Sequence, residues 1–354
     1  MAIIDRYIGT AVASSVIVVL LVVAALLMFG AIAGDLDDIG RGRYTFGLAM
    51  LVAVYALPGQ LYEAFPVTAL LGTIFGLGIL ATHSELTAMR SAGIAATRIL
   101  TAVLKAALLL IVCAVAIGET AAPWLSERST ELRVKALTKQ VEVDTSTGLW
   151  ARQGADFVHV RHVASDGTLN DLEIYELDSS SELQRVVHAK RAEHGDNGWT
   201  LTGVTITSFA QDQVSREVHA MLRWQSLIQP ELINVVRTEP ERMSTPELHA
   251  YIGYLKNNGL DARRYESTFW AKLFRPLTIV AMVVLAVPFV FGSLRSVGMG
   301  ARGFAGFAVG VAFYLVNQIA GQMGIVFQIP PILSASVPTL ALMGLAVVML
   351  RRLT

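Results

Sequence analysis

His159 and His162 could be read as a metal pair, because imidazoles a few residues apart can share an ion. They lie in a stretch of period two, where a separation of three sends side chains to opposite faces, so they read as ordinary surface residues. Asp35, Asp37 and Asp38 crowd one short loop, where solvated carboxylates need no further role. Glu63 and Glu119 differ, because each interrupts an otherwise uncharged stretch. An ionisable group at membrane depth is a functional candidate by default, although one near the end of a span can also snorkel to water. Nucleotide chemistry lacks its signature: no G-x-x-x-x-G-K-[S/T] occurs, and H-E-x-x-H and G-x-S-x-G are missing too. Cys113 is the single cysteine, which leaves no intrachain disulfide and no multi-cysteine zinc or iron–sulfur site. No constellation supports catalysis by this chain, and no cofactor or metal is expected in it.

His83–Gly93 offers a different kind of chemistry. It reads as a short polar helix in which Ser84, Glu85, Leu86, Met89 and Arg90 spread around one to two turns before Gly93 ends it. A transporter driven by a separate ATPase needs such a short, rigid element to dock into a groove. A plain turn between two spans has the same spacing.

The elements that hold these residues follow from where charge is missing. The chain has 354 residues, 54% hydrophobic and 16% charged, with 28 basic and 28 acidic side chains. That composition is a membrane protein's, and the neutral balance excludes a nucleic-acid binder driven by net positive charge. Residues 126–265 hold 36 of the 56 charges and six of the seven histidines. The order is therefore membrane, soluble insert, membrane. Uncharged runs over 7–34, 44–62, 64–84, 276–294 and 303–350, with a longer apolar stretch at roughly 99–124, supply the spans. The last run is long enough for two helices turning at Pro330-Pro331. The run 44–84 is either one kinked span or two, and counting positive charges does not decide between them. Both readings put Arg90, Arg98, Arg295, Arg302, Arg351 and Arg352 on one side and the insert on the other. Ala31-Ile32-Ala33 mimics a signal-peptidase site, but the apolar run before it far exceeds the 7–15 residues of a signal peptide, so it reads as a retained anchor.

The insert alternates with period two from about 148 to 238, which predicts about seven short strands in an antiparallel sandwich or jellyroll. Asp178–Ser181 and Gly195–Gly198 read as turns. Open sheet edges could accept a partner's strand. Ser244 and Glu247 then form a capping box with Pro246 inside it, opening an amphipathic helix that Gly259 stops.

A set of local motifs identifies a resemblance that runs the length of the chain. It comprises Asp5-Arg6-Tyr7-Ile8, Phe65-Pro66, the Gly72/Gly76/Gly78 series, Ser84-Glu85-Leu86 with Met89 and Gly93, and Ala116–Glu119 with Ala122-Pro123. Gly148-Leu149-Trp150, Phe291-Gly292, Leu294–Val297, Met299-Gly300, Arg302, Phe313-Tyr314 and Ile329–Ile332 complete it. The chain resembles the YjgP/YjgQ permease family of lipopolysaccharide-export ABC transporters. Leu294–Arg302 and Ile329–Ile332 favour the branch whose partner is LptF.

The resemblance implies a helical membrane protein with six transmembrane helices and an inserted all-β periplasmic jellyroll, so that 44–84 is one kinked span. It divides the chain into 1–135 (helices one to three, with a coupling helix at 84–93), 136–243 (jellyroll), 244–265 (linker helix) and 266–354 (helices four to six). It implies an LptF heterodimer in the Gram-negative inner membrane, two LptB ATPases that bind ATP and magnesium, and delivery through LptC to a periplasmic LptA bridge. In that arrangement Ser84, Glu85, Leu86, Met89 and Arg90 meet the ATPase. A lipid A site needs cations at the outer rim and an apolar wall within. Arg133, at a basic family position, is the first rim candidate, with Arg128, Lys135, Arg41 and Arg43 beside it. Phe65, Leu70, Phe313, Ile319 and Met323 are the wall, with core packing as their alternative. Gly72/Gly76 and Gly306/Gly310 are G-x-x-x-G pairs, and Gly303, Gly306 and Gly310 are placed at the seam between the two permeases. Some relatives carry a cation near Gly34, where this chain turns acidic. The competing reading is a membrane-anchored scaffold that offers its β-domain edge to envelope partners without transport.

Overall fold

The computed structural model describes residues 3–137, 143–153, 156–163, 168–178, 182–195, 198–210, 213–224, 239–291 and 298–352. Ser179–Ser181, Asp196-Asn197 and Gly292–Val297, which carry parts of the motifs above, lie outside them. Six helices are long and apolar enough to cross a membrane. They are α1 (Ile3–Gly34), α2 (Phe46–Thr82), a rod made of α4 (Ala96–Ala116) and α5 (Ala122–Leu137), α7 (Arg263–Phe291), α8 (Met299–Val326) and α9 (Pro331–Arg351). Two short helices join them: α3 (Glu85–Ser91) between α2 and α4, and α6 (Thr245–Asn257) ahead of α7.

The stretch 44–84 is one helix. Thr45 caps it by accepting from the Leu48 N–H, and Pro58 and Pro66 sit inside it. Proline costs a helix one backbone bond, a loss that packing can offset. The packing here is extensive, because α1, α5, α7 and α8 all contact α2. Buried residues consequently run around the α2 circumference from Ala49 to Leu80.

Glycines let two of those neighbours close in. A Cβ on Gly72 would lie 2.4 Å from Val16 Cα, and one on Gly76 would lie 2.8 Å from Val12 Cα, so α1 and α2 touch backbone to backbone. On α8, a Cβ on Gly303, Gly306 or Gly310 would press on Phe75, Ile74 or Val67 of α2. Both G-x-x-x-G stripes are thus spent within the chain. The permease-seam assignment of Gly303, Gly306 and Gly310 is corrected on that ground. The outward side of α8 carries Phe304, Phe307, Leu315 and Ile319 instead.

The α4–α5 rod widens to a π turn at Ile117–Ala121. Pro123 follows directly, and in a regular helix its ring would crowd the Glu119 carbonyl. The wider turn relieves that crowding and presents Glu119 sideways.

Among the described residues the insert forms one six-stranded antiparallel sheet in sequential order: β1 (Val143–Gln153), β2 (Asp156–Val163), β3 (Leu169–Leu177), β4 (Leu183–Gly195), β5 (Gly198–Ala210) and β6 (Gln213–Trp224). Among the described residues there are six strands, longer than expected; residues 225–238, where the expected alternation ends, lie outside them. Strict alternation also fails at one line across the sheet. In β5 the buried side chains are Trp199 and Leu201, then Val204, so the parity changes at Gly203. Gly203 has φ +64°, and Asp171, two strands away at the same level, has φ +56°. β3 changes parity at that level too, from Leu169 to Leu172, and β4 changes between Ala189 and Ala192. Residues from both sides of the line share one core. The sheet therefore folds across Asp171 and Gly203 and closes its two halves on each other. Glycine, and less often aspartate, tolerates the backbone this needs.

Candidate functional site

At the end of the bundle that carries the β domain, a cavity of about 810 Å³ opens between α2, α5, α7, α8 and the 239–242 turn. Its size suits a ligand or lipid headgroup. The walls are mixed rather than apolar. Gln60, Tyr62 and Glu63 come from α2, Lys272 and Arg275 from α7, Phe313, Asn317 and Gln318 from α8, and Arg242 from the turn.

The π turn and α6 build one wall. Glu119 accepts from the Thr245 backbone N–H at 2.7 Å, which seats the start of α6 on the rod. Both halves of the Ser244–Glu247 capping box are present there. Lys272, 5% exposed, donates to the Met243 carbonyl and lies 3.9 Å from Glu119. Glu119 and Lys272 are thus fasteners between helices. Gly118 plays a steric part, since its Cβ would fall 2.5 Å from the Tyr62 ring. Tyr62 is held there with the Arg275 guanidinium 4.4 Å from its centroid on the cavity side.

Four of the five cations expected at the rim are paired with carboxylates of this chain. Arg133 Nη2 meets Asp35 Oδ1 and Asp38 Oδ2, each at 2.9 Å. Arg41 pairs with Asp38 at 3.0 Å. Arg128 and Lys135 share Glu131, at 2.7 and 2.5 Å. Arg43 is exposed, and its backbone N–H donates to the Ala136 carbonyl at 2.7 Å. None of the five lines the cavity. The acidic loop is the partner of Arg133, and the buried Tyr44 hydroxyl donates to Asp35 at 2.6 Å.

Arg133 beside Asp38 holds that carboxyl below the usual aspartate range. A lowered carboxyl stabilises the folded form at neutral pH, and the gain is lost only as pH falls through the lowered value. Hydrogen-exchange protection of 35–44 is therefore expected to stay flat around neutrality and to fall only in acid, below the ordinary aspartate value of about 4. In Arg133→Ala the protection falls at neutral pH as well. Full protection of the loop in Arg133→Ala would contradict the pairing.

Of the expected apolar wall, Phe313 lines the cavity. Phe65 and Leu70 are corrected: they are core residues, 7% and 0% exposed, packed among α1, α4, α7 and α9. Ile319 and Met323 lie on α8 outside the lining, 55% and 46% exposed. A uniformly apolar helix gives no sign of which face is inward, so sequence alone does not separate wall from core. The residues missed were Tyr62, Lys272, Arg275, Asn317 and Gln318. Tyr62, Lys272 and Arg275 were signalled by polarity at the margin of an apolar run, with Arg275 next to the run that starts at 276, and Asn317 and Gln318 by two adjacent amides inside the run 303–350.

At the opposite end, α3 follows Ser84, which has φ +60° and reverses the chain out of α2. Leu86 is 2% exposed and joins the core of α1, α2, α4 and α7, with Met89 packed partly against it. Leu86 therefore anchors α3 and is withdrawn as a contact residue for a partner. Ser84, Thr87, Ala88 and Arg90 are exposed, and Arg90 lies over the Phe291 ring at 5.9 Å. Glu85 accepts from the Tyr7 hydroxyl of α1 at 2.7 Å. Two residues before Tyr7, the buried Asp5 holds Arg98 and Lys105 of α4, both at 2.7 Å. The start of α1 is thus bound to α3 and to α4.

Six helices of membrane-spanning length, an inserted β domain, a polar cavity at one end and a short helix at the other define a multi-pass membrane protein with a cavity between its helices. A family model, lipopolysaccharide export system permease LptF/LptG, matches residues 6–352, and the chain belongs to that family. It is 35% identical over 339 residues to the lipopolysaccharide export system permease protein LptG of Haemophilus influenzae, covering 95% of each chain. It is 32% identical over 340 residues to LptG of Escherichia coli K12, covering 95% of this chain and 94% of the relative.

Proposed function

We propose that this chain is a permease subunit of an ABC transporter that extracts lipopolysaccharide from the inner membrane. It pairs with LptF, and two LptB ATPases dock at α3. The lipid leaves through LptC toward a periplasmic LptA bridge, and ATP hydrolysis belongs to LptB. The observation that carries this reading is the cavity between the spans, beside the β domain, in a chain of this family. A cavity walled by membrane helices and lined by four cations, three carboxylates and several amides offers polar partners to a lipid headgroup, and its cations can meet the anionic groups of one. Sidedness is supported by charge: Arg6, Arg90, Arg98, Arg351 and Arg352 cluster at the α3 end, the pattern of a cytoplasmic face. The β domain is then periplasmic. The exposed apolar side chains Val214, Val218 and Met221 on β6 favour strand or face docking by a periplasmic protein there, which a scaffold would share.

The test is reconstitution with LptF, LptB and LptC in vesicles containing lipopolysaccharide, with soluble LptA as acceptor. ATP-dependent transfer to LptA is the expected result. Equal transfer with a non-hydrolysable analogue would contradict transport. In the same assay Arg133→Glu adds a carboxylate beside Asp35 and Asp38, and lipid-stimulated ATPase activity is expected to fall. Unchanged stimulation and unchanged lipid crosslinking would remove Arg133 and its loop from the lipid path.

A further inference from the structure

We propose that Arg275, stacked on Tyr62, is the cation that receives a phosphate of the bound lipid inside the cavity. The inference rests on the lipid-export reading and names the group within that site. Four cations line the cavity. Arg242 is bonded to Thr130 and Glu239, at 2.8 and 2.9 Å, and Arg264 lies 3.9 Å from Glu241. Lys272 is buried on the Met243 carbonyl with Glu119 beside it. Among the described residues, Arg275 is the one cavity cation without a carboxylate oxygen within 4.0 Å. Its guanidinium rests against the Tyr62 ring instead, and its planar fork of five N–H donors can bind a planar or tetrahedral anion through two bonds.

The position also fits. Arg275 immediately precedes the uncharged run 276–294 and faces the cavity beside Glu63, Asn317 and Gln318. A phosphate on a lipid would sit at that boundary, with its acyl chains toward the apolar spans. Tyr62 is the positioning residue, and Gly118 is what lets it sit there.

The experiment compares lipid-stimulated ATPase activity of the reconstituted complex with lipid A carrying both phosphates and with enzymatically dephosphorylated lipid A. In the unsubstituted complex, the phosphorylated lipid is expected to stimulate at a roughly tenfold lower concentration. Losing one charge-assisted bidentate contact is of that size. In Arg275→Gln that preference disappears, and in Arg275→Lys it is partly kept. Tyr62→Phe keeps it, whereas Tyr62→Leu weakens it. If Arg275→Gln does not assemble, the Lys and Tyr62 variants still decide. A full preference in Arg275→Gln, or in both Arg275→Lys and Tyr62→Leu, overturns the assignment. No stimulation of the unsubstituted complex by either lipid overturns the export reading itself, and this assignment with it.

Discussion

Glu85→Lys is expected to cut ATP-driven lipid transfer by at least an order of magnitude while the six spans stay folded. Glu85 opens the first turn of α3, and its carboxylate is tied to the Tyr7 hydroxyl at 2.7 Å. Lysine loses that bond and puts a positive charge beside Arg90 on the surface proposed to meet the ATPase. Leu86 and Met89 keep α3 seated in the core, so the helix persists with the wrong charge on it. Tyr7→Phe separates the two effects. It removes only a hydrogen bond to a charged group, about 1.5–3 kcal/mol at most, and less at an exposed site. Its transfer defect is therefore expected to be several-fold and smaller. Wild-type transfer by Glu85→Lys, with wild-type ATPase copurification, would sink the assignment of α3 as the coupling element.

Gly72→Ala is expected to destroy the fold, and Gly306→Ala to be tolerated. The two glycines look alike in sequence, each heading a G-x-x-x-G pair. Their surroundings differ. A methyl on Gly72 meets the Val16 backbone, Cα at 2.4 Å and N at 2.8 Å, so all of α1 would have to move away. Overpacking against a structure that cannot yield costs about 3 kcal/mol or more. A methyl on Gly306 meets the far end of one flexible side chain, Ile74 Cδ1 at 2.4 Å, which can change rotamer. Detergent-solubilised yield and thermal unfolding measure the difference. Equal stability of Gly72→Ala and the unsubstituted protein would mean that α1 does not pack on α2 as described.

Much of the architecture was legible from charge alone. Uncharged runs located the spans, with 44–84 left as one or two, because the bilayer core excludes charge regardless of fold. The capping box and the start of α6 were legible because capping is a local interaction. The single α2 was not legible from local signals, since Pro58 and Pro66 read as breaks. Four packed neighbours override that propensity. The β domain was legible as alternation, but the parity change at Gly203 was hidden, because one residue of positive φ flips every later side chain to the other face.

The site was legible only in part. Arg133, Arg41, Arg128 and Lys135 were visible as cations, and their paired carboxylates were not. The Arg133–Asp38 contact joins residues far apart in the chain, and no spacing rule reaches that far. The same limit hid Lys105 as a partner of Asp5 and Tyr7 as a partner of Glu85. Leu86 was assigned to the surface because a seven-residue helix is too short for periodicity to show its inner face. Arg275 was passed over because it borders a span, where a cation usually snorkels.

Native mass spectrometry of the gently solubilised protein tests the central claim most directly. The account predicts one complex containing this chain, a second permease of similar size, two copies of a small ATPase and a bound lipid of lipid A mass. The chain alone, or with soluble periplasmic proteins and no ATPase, would contradict it and favour a membrane-anchored scaffold.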